Sequence, residues 1–322
     1  MKKKNKAIYL LFLMPFVYFA TACFVVWLVK TSGIYPSGSD TMYHVYRGDY
    51  VYNAIKSGNW YPLYDPAWYN GVEILRYWSP FPAYVMAFCQ YLAGGSQFGA
   101  YLFYIGGVCF LGACVWPFIG RGFNRPYLGA FIGLLWFFIP NNLCAIFIEG
   151  NLARSLSMIF LPVFIYSVYK YLYNHKLRYI PLMVFTFLLM ELCHLGYAGM
   201  VAIAVIIYGI VYIIQKGRKK AVLDVVISTI FGFMLLGIWL VASLRGGITS
   251  LDNSENMANF FQNLWITINP FERLTRGFEY FYFGFATLVV IVFGILFGYK
   301  KSRTGFVTGF IILLMTTKSA YA

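Results

Sequence analysis

The sequence predicts an all-α, polytopic transmembrane protein with about nine spans, and three observations support this. Hydrophobic residues make up 61% of the 322 residues and charged residues only 11%, which excludes a soluble globular domain. Apolar runs of about 20 residues, long enough to cross a ~30 Å hydrocarbon core, recur along the chain. Basic residues lie in short clusters between these runs, as orientation at a membrane requires. The net charge of +14 therefore predicts no nucleic-acid partner.

The order of the spans follows from placing all the basic clusters on the cytoplasmic side. This also puts the N-terminus in the cytoplasm and makes 7–29 a retained first helix rather than a cleaved signal. It requires that the apolar piece Phe81–Ala93 does not cross, which its length of about 14 residues and its proline-bounded start favour. The predicted spans are 7–29, 98–119, 126–147, 152–173, 178–194, 197–214, 221–243, 280–299 and 304–322.

We therefore expect one transmembrane domain over 1–322, in contact with the lipids of a bacterial cytoplasmic membrane. The polar segments 30–97 and 245–279 form its first and second outer loops, the first with interfacial helices. The apolar run of the ninth span stops at Ala322, so we expect a longer protein. The six cysteines all lie in apolar segments, where packing is their ordinary role.

The first outer loop carries ionisable groups next to the bilayer, where such groups usually mark a site. Asp40, His44 and Arg47 follow i, i+4, i+7 spacing, so a helix would put them on one stripe. Asp49 follows in the same segment. The alternative for Asp40 is a simple N-cap role, because Ser-Asp before a helical run is a common start signal. The two roles are compatible.

A second candidate is the tight turn of Glu149 and Asn151 with Arg154 behind it. A cation in the first turn of a helix is unfavourable for the helix dipole, and a nearby phosphate would account for it. The alternative is an interfacial anchor whose head group reaches the lipid surface.

A third candidate is Glu191 with His194, at the outer ends of two spans with almost no loop between them. A carboxylate within a membrane span is costly and suggests function, although a structural hydrogen bond between helices is the alternative. A metal site built from Glu191, Cys193 and His194 is disfavoured, because adjacent residues on a helix point in different directions.

Several ordered motifs resemble the bacterial membrane protein family described as 6-pyruvoyl-tetrahydropterin synthase-related. They are GSDTMYH at 38–44, GNWYP at 58–62, YNGV at 69–72, RYWSPFPAY at 76–84 and EGNLAR at 149–154. That family in turn resembles the GT-C superfamily of glycosyltransferases, which use lipid-linked sugars. The resemblance implies a GT-C-like fold and no pterin chemistry.

By this resemblance, the enzyme would take a sugar from a polyprenyl-phosphate donor and transfer it to an unidentified acceptor at the outer face. Asp40 would be the catalytic base, and His44 and Arg47 would face the donor phosphate. The other expected substrate-binding residues are Asp49, Glu149, Asn151, Arg154, Glu191 and His194. Asp40 has no adjacent acidic partner, so the sequence does not indicate a divalent metal. The alternatives are a transporter or flippase, and a non-catalytic scaffold for cell-envelope polysaccharide assembly.

Overall fold

Helix follows helix through the part of the chain that the structure describes. The computed structural model describes residues 2–36, 38–68, 70–245, 285–300 and 302–315. It is 81% helical, and its described residues contain no β-strand, which confirms the all-α prediction. The second outer loop, apart from Arg245, and the last seven residues of the ninth predicted span lie outside these residues.

The described helices fall within or near the predicted spans, the third and seventh of which are interrupted, and three shorter helices lie in the first outer loop. In chain order they are α1 Lys2–Ser32, α2 Thr41–Lys56, α3 Ile74–Tyr77, α4 Phe81–Leu92, α5 Gln97–Gly122, α6 Pro126–Leu135, α7 Pro140–Leu143, α8 Leu152–Asn174, α9 Tyr179–Cys193, α10 Leu195–Lys216, α11 Lys219–Leu235, α12 Gly237–Arg245, α13 Phe285–Gly298 and α14 Arg303–Met315.

Among the described residues, four helical stretches are long and apolar enough to cross a membrane, namely Phe12–Ser32, Gln97–Gly122, Leu152–Asn174 and Leu195–Lys216. The pair α11 and α12 makes a fifth if the two count as one bent span. The protein is therefore a multi-spanning membrane protein. The figure of nine spans stays a prediction, because α6, α9, α13 and α14 each have fewer than 18 described residues.

The third predicted span, 126–147, is broken where a continuous helix was expected. After α6 the chain forms a 3₁₀ turn over Trp136–Phe138, then α7, then a π-helical turn over Cys144–Ile148. Ile139 is extended, with φ −67° and ψ 119°, because it precedes Pro140, whose ring disfavours helical geometry in the residue before it. The seventh predicted span also departs from a straight helix, since α11 and α12 meet at 63° next to Gly237.

Contacts between α1 and α5 show that the two helices are antiparallel. The Phe19 ring lies 5.9 Å from that of Phe110, and the ring of Tyr35, three residues after the end of α1, lies 5.1 Å from that of Phe98. The segment between them, 36–96, therefore leaves and re-enters the bundle at one end, which we call the loop end. Within it, α4 has 12 residues, about 18 Å of helix, too short to cross a hydrocarbon core.

The following helices continue to alternate in direction. The Lys170 ammonium donates to the carbonyl of Gly122 over 2.5 Å, and the Tyr212 hydroxyl donates to that of Leu172 over 2.6 Å. These contacts lie at the end opposite the loop end. Because most lysines and arginines of the described chain gather there, at 121–125, 170–178, 216–220 and 300–303, we call it the basic end.

Candidate functional site

A cavity of about 670 Å³ opens at the loop end between segments that are far apart in the sequence. Its walls come from the start of α2, the segment around α3, the turn before α8, the junction of α9 and α10, and α12. Five of the predicted site residues line it, namely Asp40, His44, Arg47, Asn151 and His194. The structure thus brings most of the predicted site together.

Asp40 stands at the N-cap position of α2 but does not use its side chain as a cap. Its backbone carbonyl accepts the first helical bond, from His44 N–H at 3.1 Å. Its carboxylate is partly exposed, lines the cavity, and has no hydrogen-bond donor among the described residues. The purely structural alternative for this side chain therefore loses its main support.

The turn at Glu149 holds the Asp40 loop in place through its backbone. The Glu149 carbonyl accepts both the Asp40 N–H at 3.0 Å and the Ser39 hydroxyl at 3.0 Å. Gly150 has φ +66°, and a Cβ there would lie 2.1 Å from Thr41 Oγ1, so the close approach requires glycine. A Cβ on Gly38 would meet the Gly150 nitrogen at 2.6 Å.

Behind this turn, Asn151 caps α8, and Glu149 pairs with Arg154. The Asn151 side-chain oxygen accepts the Arg154 N–H at 2.9 Å. The Arg154 guanidinium lies 2.6 Å from a Glu149 carboxylate oxygen. Glu149 and Arg154 therefore brace the turn, and neither side chain lines the cavity.

Arg47 is the most unusual group in the cavity wall, because it is 2% exposed and has no carboxylate partner in the part of the chain that the structure describes. Its guanidinium lies 5.3 Å from the centre of the Tyr43 ring and 5.7 Å from that of Trp78. It donates to the backbone carbonyls of Trp78 and Ser79 at 3.2 and 3.4 Å, and its Nε–H has no acceptor among the described residues. Burial lowers the pKa of Arg47, but a guanidinium stays protonated at neutral pH.

Burial lowers the pKa of both histidines of the cavity, which favours the neutral form of each ring. Burial, followed by the charge of Arg47 and by His194, lowers the pKa of His44 to about 3. Burial and the charge of Arg154 lower the pKa of His194, although the carboxylates of Asp40 and Glu149 act in the opposite direction. His194 Nδ1 accepts the Tyr197 N–H at 3.0 Å, so the neutral ring carries its proton on Nε2. Nε2 lies 3.4 Å from the Asn151 amide nitrogen.

Two predicted site residues point elsewhere. Asp49 accepts a 2.6 Å hydrogen bond from the Gln90 amide on α4, because nine residues of helix, about two and a half turns, put it on the face of α2 opposite Asp40. Glu191 is 1% exposed and does not line the cavity, although its backbone carbonyl accepts the Ser79 hydroxyl at 2.9 Å. A substrate contact by either residue stays a prediction.

The sequence reasoning missed the aromatic part of the wall. Trp68, Tyr77, Trp78 and Trp239 all line the cavity. Trp78 lies inside the RYWSPFPAY motif, so that motif contained a signal for it. Trp239 lies in an apolar span, where a tryptophan gives no local sign of a site.

The donor groups of the cavity suit an anion better than a divalent cation. Asp40 supplies the cavity's single carboxylate among the described residues, and the positive Arg47 lies in the same wall. The described residues contain no group of three or more His, Cys, Asp and Glu side chains arranged to hold a metal ion. We therefore assign no step to a metal.

Comparison with known proteins identifies a family but no close relative. The family model of the 6-pyruvoyl-tetrahydropterin synthase related domain, described as a membrane protein, matches residues 75–322. The match includes the Glu149 turn, His194 and Trp239, and it begins after Asp40, His44 and Arg47. No curated protein and no solved structure matches the chain.

Proposed function

The chain belongs to the 6-pyruvoyl-tetrahydropterin synthase related family of membrane proteins, and we propose that it is a GT-C-type membrane glycosyltransferase. In this proposal it moves a sugar from a polyprenyl-phosphate-linked donor to an acceptor. The transfer takes place in the cavity at the loop end. The GT-C-like fold, with about nine spans, is part of the same proposal.

The proposed location is the bacterial cytoplasmic membrane, with the N-terminus in the cytoplasm and the loop end outside. The support is the separation of charge along the bundle. Lysines and arginines gather at the basic end, and the cytoplasmic ends of spans are enriched in these residues. The cavity, with Asp40 in its wall, lies at the opposite end.

The observation that carries the proposal is the buried Arg47, which lies in the same cavity as Asp40; among the described residues Arg47 has no carboxylate partner and the Asp40 carboxylate has no hydrogen-bond donor. A buried cation without a carboxylate is expensive to hold, and aromatic faces and carbonyls offset only part of that cost. The phosphate of a donor would complete its coordination through a charge-assisted hydrogen bond. The single nearby carboxylate is left to act on a neutral acceptor hydroxyl.

These groups suit an inverting displacement. Asp40 removes the proton from the acceptor hydroxyl as that oxygen forms a bond to the anomeric carbon of the sugar. The bond between this carbon and the phosphate oxygen breaks, and polyprenyl phosphate leaves. Arg47 and the N–H groups of the neutral His44 and His194 stabilise the negative charge on the leaving phosphate. A phosphate leaving group needs little acid assistance, which fits histidines that stay neutral.

Transfer of a labelled sugar from a short-chain polyprenyl-phosphate donor by the purified protein tests the proposal. We expect donor-dependent release of polyprenyl phosphate by the wild type and loss of this release in Asp40→Asn. A flippase would move the intact donor between leaflets of a vesicle without releasing phosphate. A non-catalytic scaffold would do neither, so either of these results would replace the enzyme proposal.

A further inference from the structure

Two indole rings, those of Trp78 and Trp239, give the cavity an aromatic wall beside its charged groups. Trp78 follows α3, and Trp239 lies on α12, so they reach the cavity from opposite parts of the chain. Their place next to the phosphate-binding groups is not required by the chemistry proposed above.

Both rings are fixed in position. The Trp239 indole N–H donates to the carbonyl of Leu75 at 2.7 Å, and the Arg76 guanidinium donates to that of Ala242 at 2.8 Å. These two bonds hold α12 against α3. The Trp78 ring contacts both Arg47, whose guanidinium carbon lies 5.7 Å from the ring centre, and the ring of Tyr43, whose centre is 5.1 Å away.

Trp78 nevertheless keeps an open surface. It is 40% exposed although Arg47 lies over its ring, and Trp239 is also incompletely buried. A rigid aromatic surface that is left open inside a cavity is suited to a flat, partly apolar ligand. A pyranose ring has one such face, where its axial C–H bonds point towards the electron-rich face of an indole.

We propose that Trp78 and Trp239 form a stacking subsite for a pyranose ring of the transferred sugar, placed beside the phosphate at Arg47. This inference rests on the proposed function, because it takes the ligand to be a glycosyl phosphate. In this arrangement the charged wall binds the phosphate and the aromatic wall recognises the sugar.

Binding measurements without turnover test the subsite. The probes are citronellyl phosphate and citronellyl phosphates that bear glucose, mannose or galactose, titrated calorimetrically into the detergent-purified protein. We expect at least one sugar-bearing probe to bind the wild type roughly three- to tenfold more tightly than citronellyl phosphate, the size of an aromatic contribution. Trp239→Ala should remove this increment and leave the affinity for citronellyl phosphate unchanged.

Two further variants separate stacking from other effects. Trp239→Phe keeps an aromatic face but loses the bond to Leu75, so it should keep most of the increment if stacking causes it. Trp60 lies outside the cavity and is 71% exposed, so Trp60→Ala is the matched control and should behave as wild type.

The outcomes distinguish the two proposals. If the wild type binds no probe, the proposed function fails and the subsite fails with it. If the wild type binds citronellyl phosphate but no sugar tightens binding, or if Trp239→Ala keeps the increment, only the stacking subsite is overturned.

Discussion

The backbone N–H of Asp40 donates a 3.0 Å hydrogen bond to the carbonyl of Glu149, which joins the first outer loop to the turn before α8. This bond positions the backbone of Asp40, the candidate base. The carboxylate takes no part in it and lines the cavity. Side-chain substitutions at Asp40 therefore change the chemistry of the site without removing the contact that positions the loop.

Asp40→Asn should reduce sugar transfer by roughly 10²–10⁴-fold, the usual contribution of a positioned base. The melting temperature should stay close to that of the wild type, because the Asp40 side chain makes no capping bond and the backbone bond to Glu149 remains. Transfer of labelled sugar and thermal unfolding in detergent measure the two effects. Asp224→Asn is the matched control, since Asp224 lies outside the cavity wall and accepts a hydrogen bond from Tyr171 near the basic end. Equal loss of activity in both variants would argue against a specific role for Asp40.

Arg47→Lys should weaken binding of citronellyl phosphate by roughly 10- to 100-fold, because an ammonium lacks the planar donor set of the guanidinium. Calorimetric titration measures the affinity. Arg178→Lys is the matched control: it makes the same substitution at the basic end, far from the cavity, and should bind citronellyl phosphate as the wild type does. Unchanged affinity in a folded Arg47→Lys protein would remove Arg47 from the phosphate site.

Gly150→Ala should destabilise the protein by roughly 2–5 kcal/mol, through backbone strain at a positive φ and overpacking against Thr41. Gly94 also has a positive φ, of +65°, but a Cβ there meets nothing within 4 Å. Gly94→Ala should therefore cost only about 1–2 kcal/mol. Denaturant unfolding of both variants measures the free energy of unfolding and so separates the overpacking against Thr41 from the backbone strain. Equal losses of stability would mean that the contact with Thr41 contributes nothing.

Protein stability should fall as the pH drops from about 6.5 towards 3. The pKa of His44 is about 3 in the folded protein and near 6.5 when unfolded, so the unfolded state binds a proton in this window and the folded state does not. Above pH 6.5 both states are neutral, and His44 contributes no pH dependence. Melting temperatures of wild type and His44→Gln between pH 7.5 and pH 5 test this. The variant should lose less stability across the interval, and an identical loss would contradict the assignment.

A cysteine at Asn59 should react with a membrane-impermeant thiol reagent added outside cells, and a cysteine at Asn124 should not. Asn59 is exposed in the first outer loop, and Asn124 is exposed in the turn between α5 and α6. The parent protein should have Cys23 replaced, because that thiol is exposed. Equal labelling at both positions would reject the proposed orientation.

The sequence predicted the parts of the site that follow a local period or lie at the ends of spans. The helical spacing of Asp40, His44 and Arg47 is such a period, and the structure forms the helix α2 that this spacing predicted, with Asp40 at its N-cap. Asn151 and His194 were predicted from their place at outer span ends. Trp239 was not predictable, because a 63° bend and a contact with Leu75 bring it to the cavity. These depend on tertiary packing, which no local pattern of residues encodes.

The cavity has a consequence for the newly made chain. Its walls begin at Ser39 and end at Ser243, about 200 residues apart, and synthesis at roughly 5–20 residues per second needs about 10–40 seconds to cover that distance. During this interval the nascent first loop already carries Asp40 and Arg47 but lacks the α12 wall. A partly synthesised chain therefore lacks part of the described cavity wall until α12 has emerged.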